Sequence, residues 1–301
     1  MVARPAAKLK KVIEALYREG IKIVDGLEDL DGPNVNPVCH TRLYSHGTRT
    51  KRALLLLHGF TSCPQQFDLI GRMFHAQGWN VLIPRYPRHG YRDRLNTSIS
   101  ELRPEHLVAL ANRSADAAHG LGEHITVAGM SLGGSLAGHL AQTHEHVERA
   151  VLIAPMFGLR WIPGVLQRRV GALAQALPNF YIWWDRSLRD RLKPDYGYPR
   201  FSTHAYASLF HIASDTAIAA QTAAPKAKDI AVLTNAGEPG VENRFTYRLV
   251  EAWRAHGARV SRHEFPLTDR LPQDLIDPSH PAQNTALVYP VVARMIQGDA
   301  F

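Results

Sequence analysis

The chain has 301 residues, 35 Lys and Arg against 27 Asp and Glu, a formal net charge of +8, and 45% apolar residues. That balance is globular rather than disordered, and the length admits one large or two ordinary domains with an ample core. The two cysteines, Cys39 and Cys63, exclude a disulfide scaffold and a Cys-rich zinc module; two free thiols in a reducing compartment are the simpler expectation, and one bridge between them is the alternative.

The positive N-terminus is followed by no apolar stretch, so no signal peptide is expected and the cytoplasm is the default location. No apolar run, Ala53–Leu57 included, approaches the length that spans a bilayer. Residues 8–18 place Leu9, Val12, Ile13, Leu16 and Tyr17 on one stripe with Lys and Arg opposite, which predicts an amphipathic helix covering the core. A strand is expected over Val38–Tyr44. The run from Arg52 to Gly59 is continuously apolar before its glycine turn, as in a strand buried on both faces. Similar strands are expected near Asn80–Pro84, His124–Gly129, Arg149–Pro155, Asp229–Asn235 and Ala258–Pro266. Helical patterns separate them, at about 64–77, 104–121, 132–145, 243–256 and 283–297. Such alternation implies a mostly parallel sheet with helices on both faces.

One connection, 156–228, is far longer than a crossover needs. It holds 11 of the 25 aromatic residues, Trp161, Trp183 and Trp184 among them. It also holds ten Lys and Arg against four Asp and Glu, and so carries +6 of the net +8. It reads as an inserted helical cap over the C-terminal edge of the sheet, where open α/β sheets bind ligands. The Trp183-Trp184 pair serves either an acyl pocket or the cap's own core. The positive charge suits an anionic substrate or peripheral contact with anionic lipid, or it is a solvated face with snorkelling arginines. With no run of five Lys or Arg and no RNP, helix-turn-helix or Cys/His finger pattern, no nucleic-acid partner is expected. Despite 16 histidines there is no HExxH, and no metal is expected.

The chemical signal is Gly129-Met-Ser131-Leu-Gly133, between a strand and a helix. In a nucleophile elbow the turn is tight, the glycines relieve crowding, and the serine is lifted toward a helix N-terminus that favours negative charge. A second signal, Leu57-His58-Gly59-Phe60-Thr61, ends the buried strand 72 residues earlier. Together these motifs resemble the α/β-hydrolase fold family of serine hydrolases, in particular its carboxylesterases and lysophospholipase-like members, over about residues 35–300.

The resemblance implies an α/β-hydrolase fold with a mostly parallel sheet flanked by helices. The core is expected in two parts, 1–155 and 229–301, around the cap at 156–228. It implies Ser131 as nucleophile and backbone N–H groups of Phe60 and Leu132 as oxyanion hole, with no cofactor and a small ester or acyl substrate. His58 and His89, the latter in an Arg88-His89-Gly90 turn, become loop-end structural histidines. The acid and base should follow in the order Ser, Asp/Glu, His. Glu238 occupies the acid slot, with Glu242 the nearby competitor. The family's histidine falls near position 273, where this chain has Gln273, which cannot act as a base near neutral pH. Either His280, later in the same loop, takes the task, or the base is missing; His263, within the preceding strand, is less well placed. The expected function is a serine hydrolase of carboxylic esters, and the alternative is a degenerate hydrolase fold that binds acyl or lipid ligands.

Overall fold

A computed structural model describes residues 3–159, 164–184, 195–238 and 240–299. Seven strands form one sheet in the order β1-β3-β2-β4-β5-β8-β9. They are β1 (Arg42–Tyr44), β2 (Thr50–Leu57), β3 (Asn80–Ile83), β4 (Gly122–Met130), β5 (Val147–Ile153), β8 (Asp229–Asn235) and β9 (Arg259–Phe265). Only β1 is antiparallel to its neighbour. This is the α/β-hydrolase arrangement that the motifs imply.

Alternate residues of the central strands feed two cores. Leu55 and Leu57 of β2 join one apolar cluster, with Val127, Leu152 and Val232, while Leu54 and Leu56 join the other, with Ala128, Val151 and Leu233. A strand flanked this way has no polar face, which is why its sequence reads as a continuous run. Helices α1 (Ala3–Glu28), α3 (Pro104–Leu121), α4 (Leu132–Thr143) and α7 (Asn243–Ala255) supply side chains to the first core, and α2 (Asp68–Ala76) and α8 (Thr285–Gln297) to the second.

The N-terminal helix is longer than 8–18, because its apolar stripe continues through Val24 and Leu27, both buried. It meets α3 backbone to backbone: a Cβ on Gly120 would lie 2.6 Å from Gly20 Cα. The strand expected from Val38 begins only at Arg42, since Pro37–Cys39 is a 3-10 turn capped by Asn36. The helix expected at 64–77 is split into a 3-10 turn, Pro64–Phe67, and α2.

Two free thiols are not what the fold holds. Cys39 and Cys63 are bridged, with their Cα atoms 5.2 Å apart. Tertiary packing brings the Pro37 turn against the loop after β2, and a spacing of 24 residues does not reveal that proximity. A bond of this kind persists in oxidising compartments, and it is the alternative pairing that the two cysteines left open. Among the described residues, no helix is long and apolar enough to cross a membrane.

The segment 156–228 contains α5 (Gly164–Ala176), α6 (Thr203–Thr222) and an antiparallel ribbon of β6 (Tyr181–Trp183) and β7 (Arg200–Ser202). It is therefore not purely helical. Trp161 and the cationic stretch 185–194 lie outside the described residues.

Candidate active site

Ser131 stands between β4 and α4 with φ 54° and ψ −112°, a strained conformation for a residue with a side chain. The neighbouring backbone holds it there. Its N–H donates to Ile153 O at 2.9 Å, and its carbonyl accepts from Ser135 N at 3.0 Å and Met156 N at 3.1 Å. The flanking glycines permit an approach that no other residue would. A Cβ on Gly129 would lie 2.1 Å from Gly133 O, and one on Gly133 would lie 1.9 Å from Leu57 O. The elbow is thus pressed directly against the end of β2.

The loop after β2 is equally constrained. Gly59 N–H donates to Gln66 Oε1 at 2.8 Å. Thr61, at φ 63°, is gripped by the cap: Tyr198 N–H donates to its carbonyl at 2.8 Å and Trp184 Nε1–H to its hydroxyl at 3.0 Å. Among the described residues, neither the Phe60 N–H nor the Leu132 N–H donates to another protein group. An oxyanion hole requires two such available donors.

A cavity of about 210 Å³ opens above Ser131. Ser131, Gln273 and His280 share its lining, so the structure brings these three together. Its apolar side is Phe60, Met156, Trp184, Tyr206, Leu209 and Val241, and Arg94 lies at its wall. The Trp184, Phe201 and Tyr206 rings pack at centroid separations of 4.4 and 4.9 Å. Trp184 therefore faces the cavity, whereas Trp183 lies beneath the Arg200 guanidinium.

Glu238 is buried in the loop after β8. Its Oε1 accepts from Gly240 N at 2.9 Å and Val241 N at 3.3 Å, while Oε2 has no hydrogen-bond partner among the described residues. Burial raises its pKa, and those two N–H groups oppose the rise. Glu242 caps α7, accepting from Arg244 N. His280 is half-buried, and its Nδ1 accepts from Ala282 N at 3.1 Å. No hydrogen bond joins it to Ser131 or Glu238 among the described residues. The Gln273 side chain is exposed at the cavity wall. His263 packs edge-on to Phe265, away from the cavity lining.

His58 and His89 are fully buried. The His58 ring engages Gly59 O and Tyr86 N and stacks on Tyr86. Burial lowers its pKa far below 6.5, and lowers that of His89 to about 4, so both rings stay neutral as loop supports.

One feature carried no sequence signal. Asp274 Oδ2 accepts from Gln66 Nε2 at 2.8 Å, and its Oδ1 accepts from Ile276 N and Asp277 N, both at 3.0 Å. Nothing in the spacing of two residues 208 positions apart announces that contact. Among the described residues, no group of three His, Cys, Asp or Glu is arranged to hold a metal ion.

The chain belongs to the alpha/beta hydrolase family, whose profile matches residues 54–294. No curated protein matches the sequence. Its fold is similar to that of a protein from work on LipS and LipT, two metagenome-derived lipolytic enzymes, at 14% identity and TM-score 0.62, covering 87% of this chain and 99% of that one. It is also similar to a monoacylglycerol lipase of Paleococcus ferrophilus, at 14% identity and TM-score 0.61, covering 86% and 98%. A soluble variant of monoglyceride lipase from Saccharomyces cerevisiae, in complex with a substrate analogue, is similar at 13% identity and TM-score 0.62, covering 86% and 90%. At these identities the likeness concerns the fold.

Proposed function

We propose that the protein hydrolyses carboxylic esters through an acyl-enzyme at Ser131. The observation that carries this reading is the strained elbow of Ser131, which lines one cavity together with Phe60, while the Phe60 N–H and the Leu132 N–H next along the chain donate to no other group among the described residues. Ser131 Oγ attacks the acyl carbon, its proton passes to His280, and the two N–H groups bind the developing oxyanion, a stabilisation of about 3 to 4 kcal/mol per donor. His280 returns the proton to the departing alcohol, and water then hydrolyses the acyl-enzyme by the same route. Glu238 Oε2, the unsatisfied buried acceptor, is the atom suited to holding the imidazole. For this the His280 ring has to leave Ala282 N–H and turn between Glu238 and Ser131. A cavity of about 210 Å³ is small beside the 300–1,000 Å³ of sites for drug-sized ligands, which favours short-to-medium acyl groups.

A second reading rests on Gln273 at the cavity wall and on the unpartnered Glu238 oxygen: a hydrolase scaffold without its base, which binds acyl ligands and turns them over poorly. Initial rates with p-nitrophenyl butyrate decide between them. The first reading requires wild-type turnover that disappears in folded Ser131→Ala and in His280→Ala. Full activity in Ser131→Ala refutes it. A large gain in Gln273→His, with His280→Ala silent, selects the second. Leu173, Leu177, Phe180 and Ile182 are exposed on the cationic cap and support peripheral contact with anionic lipid under either reading. Sedimentation with phosphatidylglycerol vesicles, with phosphatidylcholine as control, checks this.

A further inference from the structure

The bond from Gly59 N–H to Gln66 gains meaning when its partner across the fold is included. Gln66 is buried, and its amide has one donor end and one acceptor end. Asp274 in its ionised form can only accept. Two backbone N–H groups already engage its Oδ1, and Oδ2 faces Gln66. The Gln66 Nε2 end must therefore point at Asp274, which leaves Oε1 aimed at Gly59 N–H. That bond fixes the peptide unit just ahead of the one that carries the Phe60 N–H, one of the two undonated groups beside Ser131.

We propose that Asp274 and Gln66 are positioning residues, a polarity relay by which the loop carrying Gln273 and His280 sets the direction of the oxyanion-hole peptide. The inference rests on the reading of Ser131 as nucleophile. The relay is built between two loops that both touch the reaction. Tyr196 of the cap donates to Asp277, Asp277 Oδ1 accepts from Ser279 N at 2.8 Å, and Tyr289 OH donates to Ile276 O at 2.7 Å, so the acceptor end is itself immobilised. A reversed amide would set Nε2–H against Gly59 N–H and Oε1 against a carboxylate, two repulsions in a dry site.

The test inverts the relay. Gln66→Glu alone puts carboxylate against carboxylate. Asp274→Asn alone, with its oxygen kept by the backbone N–H groups, puts a donor against Gln66 Nε2. Gln66→Glu combined with Asp274→Asn restores complementarity in the opposite sense: the introduced amide N–H donates to the introduced carboxylate, which still accepts from Gly59 N–H. Two readouts are taken on the full chain, kcat and KM for p-nitrophenyl butyrate and hydrogen-exchange protection of the Gly59 amide in protein labelled with nitrogen-15 glycine.

Each single substitution is expected to lower kcat about 10- to 100-fold, less than deletion of an oxyanion donor, with KM changed by less than about threefold. The double variant should recover to within about fivefold of wild type. Gly59 protection should fall in both single variants and return in the double. If the single variants do not fold, recovery of fold and of Gly59 protection in the double variant supports the relay, and its failure to recover overturns it. Unchanged kcat and unchanged protection in the single variants overturn it as well. If the wild type shows no turnover, the esterase reading fails while Gly59 protection across the four proteins still decides the relay.

Discussion

Replacing Gly133 by alanine is the sharpest test of the elbow's geometry. In an ordinary helix interior this change adds about 1 kcal/mol of stability by removing backbone freedom from the unfolded chain. Here the sign reverses. The new Cβ would lie 1.9 Å from Leu57 O, 2.5 Å from Leu57 C and 2.8 Å from His58 O. All three are backbone atoms at the end of β2, and none can swing aside as a side chain would. Real Cβ atoms essentially never come within 3.0 Å, so α4 and β2 have to part by about 1 Å. Overpacking of this kind costs about 3 kcal/mol, the upper end of its common range, and lowers Tm by roughly 5 °C in a chain of this size. The separation also pulls the Leu132 N–H from the Phe60 N–H, so esterase rate should fall about 100-fold. Circular dichroism melts beside p-nitrophenyl butyrate rates give both numbers. Gly32→Ala, where a Cβ meets nothing within 4 Å, is the control and should leave both unchanged. A Gly133→Ala protein with unaltered or raised Tm and a wild-type rate would refute the close approach on which the elbow argument depends.

Reduction of the Cys39–Cys63 bridge, or its replacement by Cys39→Ser with Cys63→Ser, releases a loop of 24 residues and should cost about 3 kcal/mol, read as a lower Tm. Glu238→Gln should flatten the pH dependence of stability. Burial raises the Glu238 pKa above 4.5, so the folded state binds that proton more tightly than the unfolded state and stability falls as pH rises from about 4.5 through the raised value. Asp274 acts with the same sign in both proteins, so melts at pH 4.5 and 7.5 should show a smaller loss in the variant, and an identical loss contradicts the assignment. Trp184→Ala widens the cavity beside Thr61 and should raise the kcat/KM ratio of p-nitrophenyl octanoate to butyrate about tenfold; an unchanged ratio would remove Trp184 from the acyl pocket.

Much of the scaffold was legible because its signals are local. The apolar run before Gly59 marks a doubly buried strand, and Gly129-x-Ser131-x-Gly133 names a turn whose crowding the structure bears out in tenths of an ångström. What escaped depends on contacts between distant segments. The Cys39–Cys63 bond needs the Pro37 turn seated on the loop after β2, and no rule of spacing gives that. The ribbon of β6 and β7 was hidden because strands of three residues carry no periodicity. The histidine loop was legible in composition but not in orientation. Whether the His280 ring faces Glu238 or Ala282 N–H is decided by rotamers and by one hydrogen bond that sequence does not encode as a pattern.

The stretch ahead of the family's shared region has a consequence for anyone who would reduce the chain to its hydrolase essentials. The match begins at residue 54, yet what clamps the loop after β2 and its neighbours comes from upstream: Cys39 on Cys63, Asp31 in a buried ion pair with Arg85, and Asn36 N–H on Gly90 O at 2.8 Å. Helix α1 is laid into α3 at Gly20 and Gly120 and leads directly into this strap. Cutting at the homology boundary would therefore unbuckle the mouth of the Ser131 cavity from outside, although every residue lost lies ahead of the shared region.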